Sequence, residues 1–503
     1  MKKNNMKRIT YSIISLTMLL SLYSCDDFLN VTPQSNYTVE DGYKKELDFQ
    51  QAISAVYSQQ QLLYNTNSSW FMQINFRSDD ARNSNNLGRF IDSPNEPAWL
   101  NSWKIYWTMI DRCNVIIEKI DSAQFTNESL RGSINGEAHI MRAYAYWNLG
   151  WQFGGMPIIT KTTPLTEIRN IPRSTQTETF SQAISDYKLA IDLLPETWDA
   201  TGAGRATKYA AAGMLGRLYM FQNNFADAKT YLQMVIDQEP RLYKMAAKYE
   251  DCFVDSKDNS PERVWEVQFI GGQLGEGNSF ITGFIPERLT IPNTAYKSPF
   301  TGYSGNMRSS EDFWACYEST PVVDKRKALS VVTNVKVNGI YDTQSKLILK
   351  YCKYDTYTPK EKNDWANNLP ILRYTDVKLM YAEASNEIGY VADINSNAFK
   401  FLNEVRTRVG LNNLTPTELP DKETFRNAII KERRVEFAFE GLRWCDLIRW
   451  GIAVSTMNAH FANTDEGSGQ YIVGPYRILL PIPFAEMSAY NDSKIMWQNE
   501  GYN

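Results

Sequence analysis

Apolar residues along most of the chain recur at intervals of three and four, the spacing that places them on one face of an α-helix. The pattern begins near Tyr43 with Leu47, Ile53, Val56 and Tyr57. Further stretches with helical spacing cover 101–121, 129–152, 178–194, 205–222, 225–238, 371–388, 395–409 and 422–450. The pattern therefore predicts a mainly α-helical protein.

Two neighbouring stretches within 205–240 carry a repeat signature. The residues that match a tetratricopeptide repeat are Leu215, Gly216, Tyr219, Ala228, Leu232 and Pro240. Small residues at Gly216 and Ala228 let two helices approach closely, and Tyr219 and Leu232 can fill the groove between them. A plain antiparallel helix pair is the alternative. Since one such pair cannot bury its own face, we expect further helix pairs to stack on it as a scaffold.

The helical pattern is interrupted between 253 and 370, where glycines and prolines are frequent. Residues 264–269 and 345–351 have the composition of short strands. A loop region of this length is usually functional, so we expect an irregular portion that carries the ligand site. The polar, Asn-rich stretch 66–100 is similar, with Trp70 and Trp99 near its two ends.

The N-terminus has the pattern of a secretory signal. Basic residues up to Arg8 precede 14 uncharged positions, 9–22. A membrane span needs about 20 apolar residues, so the run is too short to cross a bilayer but suits a signal peptide over 1–24. The sequence LYSC at 22–25 resembles a bacterial lipobox, which implies that Cys25 is acylated and becomes the first residue. An ordinary signal cleaved nearby is the alternative.

Charge and composition exclude several classes of protein. Lys plus Arg number 53 against 57 Asp plus Glu, so the formal net charge is −4 and nucleic-acid binding is not expected. The chain has two histidines and no CxxC pair, so we expect no metal site and no cofactor. We expect the other five cysteines to be small buried apolar residues. Their spacing does not decide whether two of them form a disulfide.

Four blocks of sequence resemble one family. They are RAYAYWNLGWQFGGMPIIT at 142–160, LPILRYTDVKLMYAEA at 369–384, ERRVEFAFEGLRWCDLIRWG at 432–451 and LPIPFAE at 480–486. Together with the lipobox at Cys25, they strongly resemble the SusD/RagB family of outer-membrane nutrient-binding lipoproteins.

The resemblance implies a fold, a location and partners. It implies tetratricopeptide-like helix pairs as a scaffold beside a more irregular ligand-binding portion. It also implies a lipoprotein on the outer face of the outer membrane, which binds a glycan and delivers it to a SusC-like TonB-dependent transporter. Some family members bind peptide instead. The organisation expected is a signal peptide at 1–24, a lipidated tether at 25–42, a helical scaffold at 43–252, the loop-rich portion at 253–370 and a C-terminal helical region at 371–503.

Sugars suggest which residues bind the ligand. A pyranose offers a flat face of C–H bonds on which Trp and Tyr stack, and an edge of hydroxyls that Asp, Asn and Arg can bond. Most aromatic residues here are expected to be core residues. The candidates in loops, with polar neighbours, are Trp70, Asp79, Arg82, Trp99, Asn101, Tyr296, Tyr303 and Trp314. Trp99 is the first choice, since it closes the polar loop just before a helix.

A glycoside hydrolase is the alternative function. Such an enzyme needs only two carboxylates, and Asp79 with Asp80 is the best pair available. Adjacent residues seldom flank one bond, so we expect a structural role for this pair. We also expect Glu432, Glu436 and Glu440 to pair locally with the arginines of the same helix rather than to act as acid and base.

Overall fold

The computed structural model describes residues 42–65, 70–82, 85–286, 288–292, 307–319, 322–463 and 471–502. Within these ranges the helices are α1 (Glu46–Leu62), α2 (Trp70–Phe76), α3 (Pro97–Lys119), α4 (Glu128–Phe153), α5 (Leu165–Ile168), α6 (Gln176–Leu193), α7 (Lys208–Phe221), α8 (Phe225–Ile236), α9 (Glu311–Cys316), α10 (Arg326–Ser330), α11 (Tyr374–Ile388), α12 (Asn397–Arg408), α13 (Lys422–Glu436), α14 (Arg443–Arg449), α15 (Ala453–Asn463) and α16 (Phe484–Tyr490). The strands are β1 (Arg263–Val267), β2 (Leu289–Thr290), β3 (Val331–Val332), β4 (Val335–Val337), β5 (Ile340–Asp342), β6 (Leu347–Ile348) and β7 (Leu369–Arg373). The prediction of a mainly α fold with short strands is confirmed.

Successive long helices pack side by side and form the scaffold. α3 packs on α4, α4 on α6, α6 on α7 and α7 on α8, and the series continues into α11 and α12. α4 is its longest member, and 20 of its 26 residues are buried. The side chain of Asn127 caps its first turn by accepting a hydrogen bond from the backbone N–H of Leu130. At its other end, Gly154 has φ +88°, a conformation that glycine adopts without steric cost, and α4 ends just before it.

The tetratricopeptide-like pair is formed by α7 and α8, which three residues connect. A Cβ atom on Gly216 would lie 2.8 Å from Leu232 Cδ2, so the glycine is what allows this close approach. Leu232 and Ala228 are fully buried, and Tyr219 is 6% exposed. The predicted packing roles of these four residues are therefore confirmed.

The prediction of one continuous helix over 422–450 is wrong. α13 ends at Glu436, and α14 starts only at Arg443. Between them Phe439 has φ +63° and Gly441 has φ +75°, left-handed conformations that an α-helix cannot contain. The chain therefore turns sharply in the middle of the third sequence block.

The three glutamates of this block form an ion-pair network, but their partners are distant in sequence. Glu432 lies 2.6 Å from Arg326 Nη1, Glu436 lies 2.9 Å from Arg373 Nη1, and Glu440 lies 2.6 Å from Lys350 Nζ. The expectation of local pairs along one helix is wrong, because these carboxylates face the interior and meet cations of other elements. Buried charges of this kind stabilise the fold only as complete pairs.

The loop-rich portion is held by side chains that bind backbone groups. The carboxylate of Asp255 accepts hydrogen bonds from the backbone N–H groups of Asp355, Thr356 and Tyr357, at 2.8 to 3.1 Å. Asp364 does the same for Gly272 and Gln273, at 2.8 and 2.7 Å. Side chains thus satisfy backbone donors that a regular element would otherwise pair.

Short sheets tie this portion to the helices. β1 pairs antiparallel with β7, with Val267 opposite Leu369, and β7 leads directly into α11. β2, β4 and β5 form a second sheet, and β3 pairs with β6. β1 overlaps the strand predicted at 264–269, whereas in the strand predicted at 345–351 only Leu347–Ile348 pairs.

Residues Lys45–Asn503 form one compact unit. Met1–Lys44 is a separate unit, of which only 42–44 lie among the described residues, so Cys25 lies outside them. In the described part of the chain, no helix combines the length and the apolar character needed to cross a bilayer.

Candidate functional site

Two of the predicted ligand loops meet in the structure. Ala81 forms an antiparallel bridge with Ser309, and the backbone N–H of Arg82 donates to Arg308 O at 2.8 Å. The Ser310 hydroxyl donates to Asp79 O at 2.6 Å. We call residues 77–82 and 307–316 the joined loops.

Two arginines from the C-terminal region anchor the joined loops. Arg443 makes a two-pronged contact with the carboxylate of Asp79, at 2.8 and 2.9 Å. Arg434 Nε donates to Asp80 Oδ1 at 2.9 Å, and its Nη2 donates to Asp79 O at 2.9 Å and to Asp312 Oδ2 at 3.3 Å. Arg434, on α13, therefore contacts both joined loops at once.

The charge states of Asp79 and Asp80 follow from this arrangement. Burial acts to raise the pKa of Asp79, but the guanidinium groups of Arg443 and Arg434 outweigh it and hold that pKa well below its ordinary value. Burial raises the pKa of Asp80, and repulsion from Asp79 adds to this while Arg434 opposes it. Each side chain is engaged with arginine, and each residue is only 1% exposed. In this conformation neither carboxyl can reach a substrate, so the geometry fits the structural role expected of the pair.

Trp70 and Trp99 lie in the core and offer no open ring face. Trp70 is 8% exposed, and its indole N–H donates to Gln152 Oε1 at 2.7 Å. Trp99 is 1% exposed, and its indole N–H donates to Asp92 Oδ2 at 3.0 Å. Pro97 starts α3, so Trp99 lies within the first turn of a helix rather than at the edge of a loop. The stacking platform that we expected at Trp99 is therefore absent, and its ring instead fills the core.

Trp314 and Arg82 are the accessible candidates on the joined loops. Trp314, on α9, is half-buried, with Lys327 Nζ 4.2 Å and Lys346 Nζ 5.9 Å from its ring centroid. Arg82 is exposed. Ammonium groups this close to an indole are attracted by its π-face. The joined loops thus carry an aromatic ring and the guanidinium group of Arg82, and two lysines from other segments lie beside the ring.

The remaining candidates are not brought to this place. Asn101 is exposed on α3. Tyr296 and Tyr303 lie outside the described residues. Of the eight predicted residues, the structure brings together Asp79, Arg82 and Trp314.

Sequence reasoning missed the residues that support this site. Arg434 and Arg443 were assigned to local pairs, although they reach more than 350 residues back along the chain to Asp79 and Asp80. The sequence did not predict that Lys327 and Lys346 lie beside Trp314, because their spacing from it matches no helical or strand repeat. The only usable hint was that four arginines fall within the twenty residues 432–451.

Comparisons with known proteins cover nearly the whole chain. A family model described as "SusD family" matches residues 220–502, and one described as "Starch-binding associating with outer membrane" matches residues 27–220. SusD-like protein P25 of Formosa agariphila is 27% identical over 532 residues, covering 95% of this chain and 97% of that protein. A SusD-like protein of Bacteroides ovatus is 24% identical, covering 87% and 82%.

Solved structures of low sequence identity have the same fold. A laminarin-binding SusD-like protein is 22% identical and superposes with a TM-score of 0.75, covering 92% of this chain and 100% of that one. Surface glycan-binding protein A from Bacteroides fluxus is 22% identical with a TM-score of 0.76, covering 91% and 100%.

Proposed function

The chain belongs to the SusD family, and on that premise we propose that it is a cell-surface lipoprotein that binds an oligo- or polysaccharide and delivers it to a SusC-like TonB-dependent transporter. The observation that carries this proposal is that two family models together account for residues 27–502, one of them described by starch binding and the outer membrane. The structural neighbours that are named for laminarin or surface glycans support it further.

The joined loops are our proposed place of glycan contact. Trp314 supplies a ring for the C–H face of a sugar, and Arg82 supplies donors for its hydroxyl edge. Asp79 has a supporting role at this site, because its carboxylate binds Arg443 and so holds the loop in place without contacting the sugar. Trp70 and Trp99 are not part of the proposed glycan contact, because both rings are buried.

Glycan binding can be tested with residues 26–503, which contain the whole compact unit Lys45–Asn503. A glycan array or affinity gel electrophoresis identifies the ligand, and calorimetric titration then compares variants. A Kd of about 1 mM corresponds to only about −4 kcal/mol, and truncating a central aromatic commonly costs about 2 kcal/mol. We expect Trp314→Ala to remove measurable binding and Arg82→Ala to weaken it.

Trp497 provides a matched control, since it is a tryptophan 41% exposed elsewhere on the surface. We expect Trp497→Ala to bind as the unaltered protein does, and thermal melts to show that all three variants remain folded. Full binding by folded Trp314→Ala would rule out the joined loops as the main contact. Failure of every glycan on the array to bind would count against the function itself.

We further propose that the protein does not cleave its glycan. The best carboxylate pair, Asp79 and Asp80, is buried and bonded to arginine. Prolonged incubation with the bound glycan should produce no new reducing ends. Their appearance, and their loss on Asp79→Asn, would favour the hydrolase.

The lipid anchor is the last element of the proposal. Acylation of Cys25 would hold the protein at the outer membrane, facing outside. Mass spectrometry of the native mature protein should show a diacylglyceryl-modified Cys25, and Cys25→Ala should release a folded protein from the cell surface. An unmodified first residue contradicts the anchor but leaves the glycan test unaffected.

A further inference from the structure

A cavity of about 340 Å³ opens between α3, α16 and the segment 159–169, which contains α5. Its walls are largely aromatic and aliphatic, formed by Trp103, Trp107, Ile110, Ile159, Ile168 and Tyr490. Leu165 borders it and is 64% exposed, so the cavity is open to solvent on this side. This volume and lining match those of small-molecule binding sites in proteins.

Two carboxyl groups border the cavity from different walls. Glu486 comes from α16 and is half-buried, whereas Asp111 comes from α3 and is exposed at the margin. Within the described part of the chain, neither makes an ion pair within 4.0 Å. This contrasts with the buried carboxylates of the core, such as Asp376, which lies 2.6 Å from Arg433 Nη1.

Neighbouring cations attract these two carboxyl groups but do not outweigh their burial. Burial raises the pKa of Glu486, although Lys104 and a hydrogen bond from Trp103 act in the opposite direction. Burial also raises the pKa of Asp111, against the attraction of Arg112. Arg169 borders the cavity but is exposed to solvent. Charge inside the cavity is therefore weakly compensated by the protein itself.

Two indole rings form part of the same wall. The ring centroids of Trp103 and Trp107 lie 5.9 Å apart, so the two indoles are neighbours along α3. Indole faces attract cations, and the effect grows when the cation is shielded from water.

We propose that this cavity binds a small organic cation, an ammonium group carried on an aromatic or branched aliphatic body. The ammonium group is held by Glu486 and Asp111 and lies against the indoles, while the body packs on Ile110, Ile159 and Ile168. This site is separate from the joined loops and does not depend on glycan binding.

The probe is 2-phenylethylammonium, titrated into residues 26–503 and followed by calorimetry and ligand-observed NMR. The uncharged isostere 2-phenylethanol and the anion 3-phenylpropionate serve as comparison ligands. We expect the ammonium to bind at least about tenfold more tightly than the alcohol, and the anion not to bind. Equal binding of the alcohol, or no binding of the ammonium at about 10 mM, overturns the proposal.

Variants locate the binding. Glu486→Gln keeps the shape of the side chain and removes its charge, so we expect an affinity loss of at least about tenfold, with a smaller loss for Asp111→Asn. Asp192→Asn is the control, because Asp192 is an exposed acid on α6 that does not border the cavity. We expect its affinity to match that of the unaltered protein.

Leu165→Arg tests the same site without changing Glu486, in case Glu486→Gln does not fold. Leu165 is exposed, so the change leaves the core intact and places a competing cation at the opening. We expect it to abolish binding of the ammonium. Unchanged affinity in Leu165→Arg, or in folded Glu486→Gln, rejects the site.

Discussion

The helix pair α7–α8 and the loop-rich portion keep their shapes by different interactions. In the pair, Leu232 packs against Gly216, and the buried residues of α7 are all alanine, glycine, leucine, methionine or tyrosine. In the loop-rich portion, the carboxylates of Asp255 and Asp364 accept hydrogen bonds from backbone N–H groups up to about 100 residues away in sequence. The comparison teaches that a long irregular segment can be ordered by a few buried polar side chains, where a helix pair needs a repeated apolar face.

Breaking the apolar contact should have the largest effect. Leu232→Ala leaves a cavity where the two helices meet, and we expect it to lower the free energy of unfolding by about 2–5 kcal/mol. Chemical denaturation of residues 26–503 measures the loss. Leu189→Ala is the control, since that leucine is 43% exposed on α6 and should cost far less. A cost below about 1 kcal/mol at Leu232 would mean that the pair collapses around the gap.

Removing a polar anchor should have a smaller and more local effect. Asp255→Ala leaves three backbone donors without their acceptor, which we expect to cost about 1–3 kcal/mol. Hydrogen exchange should become faster at Asp355, Thr356 and Tyr357, while the amides of α7 keep their protection. Asp393→Ala is the control, because its exposed carboxylate accepts hydrogen bonds from the nearby Asn395. Unchanged exchange at 355–357 would show that the anchor is dispensable.

Low pH should remove part of the stability that Asp255 contributes to the unaltered protein. Burial acts to raise the pKa of Asp255, but hydrogen bonds from Thr356 and from the backbone of Asp355 and Tyr357 lower it below its ordinary value. A lowered folded-state pKa stabilises the protein above the unfolded value, about 3.9, and that stability is lost as pH falls below it. We expect the stability difference between the unaltered protein and Asp255→Asn to shrink by about 1 kcal/mol below pH 4. A difference that stays constant from pH 6 to pH 3 would contradict this.

The helices could be predicted because their apolar spacing is local information. The start of α3 could have been predicted. Proline is common at the first position of a helix, so Pro97 implies that Trp99 belongs to a helix. That the ring of Trp99 then enters the core could not be read, since this depends on Asp92 accepting its N–H. Gly441 likewise signalled the break after α13, but the turn also required Phe439 in a left-handed conformation.

The candidate site was less predictable than the fold. Arg82 and Trp314 were found by residue type alone. They lie on adjoining loops because Ala81 bridges Ser309, a pairing of two loops without periodic sequence. Long-range pairs of this kind leave no trace in the spacing of one sequence, which is why the arginines that anchor them were assigned to the wrong partners.

The shared anchor at Arg434 has a consequence for how this protein tolerates mutation. Its one guanidinium bonds Asp80 in the first joined loop and Asp312 in the second. A change at Arg434 therefore removes support from both loops, whereas a change at Asp80 after Arg434 is lost costs little more. We expect strong epistasis between positions 434 and 80 in related sequences, with Asp80 replaced more often where the arginine is absent.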